Sequence, residues 1–324
     1  SNVTNMGYMF PTCYSLASVP LFDTSNVTIM TSMFSGCSSL TSVPLFDTGN
    51  VIDMSNMFYG CSSLTSVPLF DTGNVTNMYG MFIICYSLTS VPLFDTRRVN
   101  NMGGMFYYCY SLRTVALFET STVTSMSSMF ASCYSLTSVP HFNTSAVTNT
   151  NSMFQNCYSL EHVPKFDTST VTTMTYMFQN CYSLVFVPHF DTSNVINMSG
   201  MFNTCSDIMR IPAFNTSKVT TFTTMFNGCS TLAEIPELDL SAATNSSGYS
   251  SMFSGCTSLS RIRATGIKWT FSSTQYLKLS STALDEIYTN LATVTGQTIT
   301  VTGNYGISGD DPTIATAKGW TVTG

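Results

Sequence analysis

The chain has 324 residues, of which 44% are apolar and only 9% charged, against roughly 25% charged in ordinary globular proteins. That composition allows a large core under a surface made chiefly of Ser, Thr, Asn, Gly and Tyr. The net charge is −6 and no Lys or Arg precedes Arg97, so the basic stripe of a nucleic-acid binder is missing. No apolar run reaches the ~18 residues of a membrane span.

The first residues already repeat. Ser1-Asn2-Val3 returns as Ser25-Asn26-Val27, so the chain starts in mid-repeat and is expected to be a piece of something longer. Met-Phe pairs begin at 9, 33, 57, 81, 105, 129, 153, 177, 201 and 225, each 24 residues after the last, and once more at 252. Each of the eleven cysteines, Cys13 to Cys256, falls four residues after one of these Met positions. The consensus coil reads SLTSVPLFDTSNVTNMSxMFxxCY.

Within a coil the rhythm changes. Leu40, Val43 and Phe46 lie in a β-rich stretch that predicts a short strand, closed at Asp47. Val51, Met54, Met57, Phe58 and Cys61 follow at spacings of three, three, one and three. That spacing predicts a helical or 3₁₀ return, with the Asp-Thr-Ser corner capping its orphan N–H groups. One such unit cannot bury its apolar side alone, but stacked on its neighbours it forms a continuous core. The final coils degrade: three extra residues enter near Thr244 to Ser247, and Arg263 replaces the usual Pro. Atypical end repeats are expected.

From about residue 264 the period is gone. IKWTF and YLKLS (276–280) predict strands. Ser280 to Ala292 predicts a helix with Ser or Thr at its cap and acidic residues in its first turn. TITVTGN predicts a strand, Asp311-Pro312 a second short helix ending at Gly319, and WTVTG a last strand. The expected division is therefore a repeat region over 1–263 and an α/β cap over 264–324 that covers the end of the stack.

LTSVPLFDTSNVTNM…MF..C..L resembles the BspA-type leucine-rich repeats of bacterial surface proteins, in the variety known from mycoplasma lipoproteins. The resemblance covers 1–262. It implies a right-handed, leucine-rich-repeat-like solenoid of about eleven coils, displayed on a cell surface and used in adhesion. The closing TITVTGN…IATAKGWTVTG is similar to segments that end phage and prophage structural proteins, which implies display on a virion instead.

The residues offer little chemistry. Cysteines 24 apart give no zinc spacing, and same-phase side chains run parallel instead of converging on disulfides, so they read as small buried hydrophobes. The column Asp23, Asp47, Asp71, Asp95, Asp167, Asp191 and Asp239 would suit calcium, but Asn143, Asn215 and Glu119 share it, which favours a turn cap. Tyr14, Tyr86, Tyr110, Tyr134, Tyr158 and Tyr182 follow cysteines, either as an adhesive strip or as cover for neighbouring backbone. His141, His162 and His189 belong to no catalytic motif. Neither enzyme activity, a metal nor a cofactor is expected.

The informative positions are those that stop repeating. The two residues between Leu and Val, and the one between Pro and Phe, are nearly constant in the first four coils. They later become Arg113, then Glu161, His162 and Lys165, then Val185, Phe186 and His189, then Met209, Arg210 and Ala213. Columns that accept Thr, Glu, Val and Met face solvent. Glu161, His162, Lys165, Val185, Phe186, His189, Met209 and Arg210 are the expected binding patch for a protein or glycan receptor. The alternative is a spacer or self-assembling subunit of a surface layer, fibre or virion, with copies of itself as partner.

Overall fold

The computed structural model describes residues 2–272, 274 and 277–324. The chain forms two compact units, Ser1–Thr170 and Val171–Gly324.

In the first unit, parallel bridges join Asn5, Ile29, Asp53, Asn77, Asn101, Ser125 and Asn149 in one column, a coil apart at each step. Around that column runs a backbone ladder. Met30, Ser32, Phe34 and Gly36 donate their N–H groups to the carbonyls of Asp53, Ser55, Met57 and Tyr59, at 3.0, 2.9, 2.9 and 2.6 Å. Between them, N–H groups also bond within the coil, Met33 to Met30, Ser35 to Ser32, Cys37 to Phe34 and Leu40 to Cys37, at 3.0–3.2 Å. The result is a solenoid of the leucine-rich-repeat kind.

The return differs from the helical expectation. It is a run of β-turns, because two residues in each coil are left-handed: Ser32 at φ 55° and Gly36 at 79°, then Asn56 at 53° and Gly60 at 72°. A left-handed residue ends a helix and re-aims the peptide units that follow. Alternate N–H groups are thereby turned along the stack, toward the next coil. Apolar spacings of three fit consecutive four-residue turns as well as they fit a 3₁₀ helix.

The Leu40–Phe46 stretch is also less of a strand than its composition predicts. Its links between coils are few and long, such as Thr41 N–H to Ala17 C=O at 3.3 Å. Pro44 and its equivalents have no N–H to donate at the middle of the stretch. The second unit shows the effect directly. There β1 (Glu234–Asp239) pairs in parallel with β2 (Arg261–Thr265), and the register breaks between Ile235 and Leu238, where Pro236 sits. In β2 the Pro has become Arg263, and the strand continues through it.

The core is a set of columns. Leu40, Val43, Phe46, Val51, Met54, Met57, Phe58 and Cys61 are all buried, as are Leu64, Val67, Phe70, Val75, Met78, Met81, Phe82 and Cys85 in the next coil. The rings of Phe10, Phe34, Phe58, Phe82, Phe106, Phe130 and Phe154 stack with centroids 5.6–5.7 Å apart. Two polar ladders lie among them. Buried Thr48, Thr72, Thr96, Thr120 and Thr144 donate their hydroxyls to the carbonyls of Asp71, Asp95, Glu119, Asn143 and Asp167 at 2.7–2.9 Å. The thiols of Cys37, Cys61, Cys85, Cys109, Cys133 and Cys157 donate to the Phe carbonyl of the preceding coil at 3.1–3.2 Å.

All eleven cysteines are thiols outside any disulfide, and every one except Cys13 is buried. Burial pushes the Cys37 thiol up to about 11 and that of Cys85 well above its usual range. A protonated, enclosed thiol is a poor nucleophile. Iodoacetamide at pH 8 is therefore expected to modify the half-buried Cys13 in the native protein and the other ten only after denaturation. Mass spectrometry distinguishes the two, and rapid native labelling of Cys85 would contradict the burial.

In the second unit, bridges join Thr173, Asn197 and Thr221 in the same manner. A short 3₁₀ turn, Ser246–Tyr249, occupies the region of the three extra residues. Helix α1 (Ser281–Asn290) follows, with the Ser280 hydroxyl accepting from Ala283 N–H, as its sequence predicts. Asp285 and Glu286 fall beyond the first turn and serve tertiary contacts instead. Glu286 takes a two-pronged pair from Arg261 in β2 at 2.8 and 3.0 Å, and Asp285 accepts the Asp311 N–H at 2.7 Å. Strand β3 (Gln297–Thr300) pairs in parallel with β4 (Trp320–Thr323), and helix α2 (Thr313–Thr316) precedes β4. IKWTF forms two isolated bridges, Ile267 to Leu291 and Phe271 to Ile299, instead of a strand. Of YLKLS, residues 277–280 are irregular, and Tyr276 lies outside the described residues.

Candidate recognition surface

Burial alternates along the stretch that follows each buried Leu. In the coil from Leu184, Val185 and Phe186 are exposed, Val187 is buried, His189 is exposed and Phe190 is buried again. The buried residues fix the coil on its neighbours, so the outward positions are free to change without disturbing the core. All eight residues of the expected patch are exposed.

The two units hold the patch in parts. The first unit carries Glu161, His162 and Lys165 on one coil, with Glu161 N–H bonded to Thr137 C=O at 3.2 Å. The second unit brings together four others across neighbouring coils. Phe186 bridges Arg210, and Met209 N–H donates to Val185 C=O at 3.1 Å. Phe186 is 44% and Met209 61% exposed, an unusual display for side chains of that size. His189 lies near Asp191, whose carboxyl is held below its usual range by the Ser193 N–H and hydroxyl, with the imidazole adding to the effect.

The acidic column is a row of corners. Asp47, Asp71 and Asp167 accept from the N–H two residues on at 3.3, 3.1 and 3.0 Å. Glu119, Asn143 and Asn215 make the same bond at 2.9, 3.2 and 3.2 Å. An amide oxygen serves there as well as a carboxylate, which is why Asn replaces Asp in this column. Among the described residues, no group of three or more His, Cys, Asp or Glu is gathered as metal ligands.

The tyrosines stack on one another. Tyr86, Tyr110, Tyr134 and Tyr158 have centroids 4.5, 4.3 and 4.5 Å apart and planes within 6–10°. Their faces are spent on each other, which makes the column a stiffener of the stack. The two polar ladders of the core escaped sequence reasoning. Their signal was present in the constancy of Thr48 and Cys61 through coils whose surface residues changed.

The family described as "Mycoplasma protein of unknown function, DUF285" matches residues 1–91, 86–187 and 186–279. The chain belongs to the DUF285 family. Among solved structures, the DUF285 chain is similar to a leucine rich cell surface protein from Faecalibacterium prausnitzii A2-165, at 22% identity and a TM-score of 0.47, over 82% of this chain and 83% of that one. It is also similar to a leucine-rich repeat protein from Eubacterium ventriosum, at 16% identity and a TM-score of 0.48, over 82% and 80% of the two chains. No curated protein matches the DUF285 chain. Among the described residues, no helix is long and apolar enough to cross a membrane.

Proposed function

We propose that this DUF285 chain is a non-enzymatic recognition module that acts outside the cell, on a bacterial surface or a phage particle, and binds a protein or glycan through the exposed face of its coils. Residues 1–263 supply the repeats and 264–324 close their end. The observation that carries the reading is the paired display of Phe186 and Arg210 on adjacent coils, with Val185 and Met209 beside them, over core columns that stay constant. Exposed aromatic and thioether side chains next to a guanidinium are the composition of contact surfaces.

The test is a Phe186→Ser, Arg210→Ser double variant of the full chain, applied to arrays of extracellular-matrix proteins and of glycans. Loss of at least tenfold in affinity for whichever probe the wild type binds is expected, with an unchanged melting temperature. Equal binding by the variant would remove the patch. The stacked tyrosines and threonines favour a second reading, a stiff spacer or assembly subunit. On that reading the double variant binds normally and shortening the first four coils abolishes function.

A further inference from the structure

A second stretch of exposed residues lies in the first unit, in the coils that precede the patch above. The residue between Pro and Phe is Leu in five successive coils, and each one points outward. Leu21, Leu45, Leu69, Leu93 and Leu117 are 66, 58, 59, 59 and 59% exposed. Single exposed leucines are common, but five in one column form a continuous apolar stripe. The Phe rings next to them step by 6.0–6.5 Å per coil, so the stripe runs for about 25 Å, taking one step per coil. After Leu117 the column turns to His141 and Lys165, and the stripe stops.

The borders of the stripe are acidic and neutral. Two residues beyond each of the first four leucines, with a buried or half-buried Phe between, comes Asp23, Asp47, Asp71 or Asp95. On the other border stand small neutral residues such as exposed Thr41 and Ser42. Residues 1–96 contain five acidic side chains and no Lys, Arg or His, so most of the net charge of −6 is concentrated there. At Asp95 a side chain of the same coil joins the acidic border, where Arg97 pairs with it at 2.6 Å.

We infer that the Leu21–Leu117 stripe docks a cationic amphipathic protein segment, with aliphatic side chains on the leucines and Lys or Arg along the aspartates. The opposite charge of the rail selects against acidic partners and steers cationic ones. An amphipathic helix of about 17 residues has an apolar stripe of the same length, at ~1.5 Å per residue.

The test uses the full chain and three fluorescent 18-residue helical peptides: one of Leu and Lys, one with Glu for Lys, and one with Gln for Leu. Anisotropy is expected to show binding of the Leu/Lys peptide at least tenfold tighter than the other two. Leu45→Ser, Leu69→Ser, Leu93→Ser together should weaken it at least tenfold. Asp47→Asn with Asp71→Asn should weaken it at least threefold and flatten its salt dependence. Those amides keep the corner bond, as Asn143 and Asn215 do, so the circular dichroism melt should not move. If the triple variant loses its melting transition, Leu69→Ser alone is expected to weaken binding about threefold. The Phe186→Ser, Arg210→Ser variant should bind the peptide normally. Equal affinity for the Leu/Glu peptide, or wild-type binding by the stripe variants, overturns the assignment. So does sedimentation showing a dimer that the Leu→Ser changes dissolve, which would give the stripe to a second copy.

Discussion

Phe82→Ala is expected to cost the first unit about 3–5 kcal/mol, the range for deleting a fully buried aromatic side chain. Phe82 is completely buried, with Phe58 stacked 5.6 Å away on one side and Phe106 5.7 Å away on the other. Removing the ring opens a cavity between two others that cannot close it, since each is held by its own coil. The backbone adds to this rigidity: Phe82 N–H donates to Met105 C=O and its carbonyl accepts the Cys109 thiol. Those bonds fix the Cα and prevent the neighbouring coils from collapsing into the gap. In a repeat stack each coil leans only on its neighbours, so the loss falls on both interfaces of one coil. Urea unfolding followed by far-UV circular dichroism should show the midpoint falling by more than about 1 M, taking a slope of 1–3 kcal/mol per M. Phe82→Leu, which keeps much of the volume, should cost less than about half as much. A shift under about 1 kcal/mol for the Ala variant would mean that the ring column is not what holds the coils together.

The same column shows what a repeated sequence reveals and what it hides. Identity of phase was legible at once: Phe58 had to meet Phe82 because 24 residues separate every Met-Phe pair, and the burial of Leu, Val, Met and Cys follows from the same register. The corner at Asp47 and the Ser280 cap of α1 were legible because a short side chain with one acceptor has few other uses beside an unpaired N–H. The direction of the backbone was not. A spacing of three residues satisfies a 3₁₀ turn and a series of β-turns equally, and the choice lies in left-handed residues that here are often not glycine. Ser32, Asn56, Ile84 and Tyr108 all adopt φ between 53° and 64°. For Ile84 the local preference is the opposite, so the inter-coil ladder overrides it: its N–H donates to Tyr107 C=O at 2.8 Å. The candidate patch divides along the same line. That Phe186 and Arg210 face outward followed from their variability; that they form a bridged pair depends on the ladder, which the sequence pattern does not encode.

Gly306→Ala tests the tail, where no repeat guides the packing, and it should be nearly as costly. Gly306 is buried against the start of α1, with its N–H bonded to Leu279 C=O at 3.0 Å and its carbonyl accepting from Gly309 and Asp310 at 3.0 and 3.1 Å. A Cβ at this position would land on the Ser281 amide nitrogen and the Ser280 carbonyl carbon, far inside contact distance. Both are main-chain atoms, so no side-chain rotation relieves the clash. The turn must leave its place, or α1 must shift together with its Ser280 cap and the buried Leu284, Ile287 and Tyr288. Either route breaks the hydrogen bond from the Tyr288 hydroxyl to Asp310, 2.6 Å in the native chain. Overpacking against fixed backbone costs about 3 kcal/mol at the upper end of its usual range, and that is the expected loss. Gly309 is the control. It is exposed, and a Cβ there would sit 3.7 Å from the Ser281 Cβ, an ordinary contact, so Gly309→Ala should stay within about 0.5 kcal/mol of wild type. Both Trp residues, Trp269 and Trp320, lie in this tail and bond through their indole N–H to the carbonyls of Ala243 and Ala292. Tryptophan fluorescence during urea unfolding therefore reports on the tail directly. Equal midpoints for the two alanine variants would show that the 304–310 turn is not seated on α1 as described. A selective loss in Gly306→Ala would show that the glycine is required by the main chain it covers.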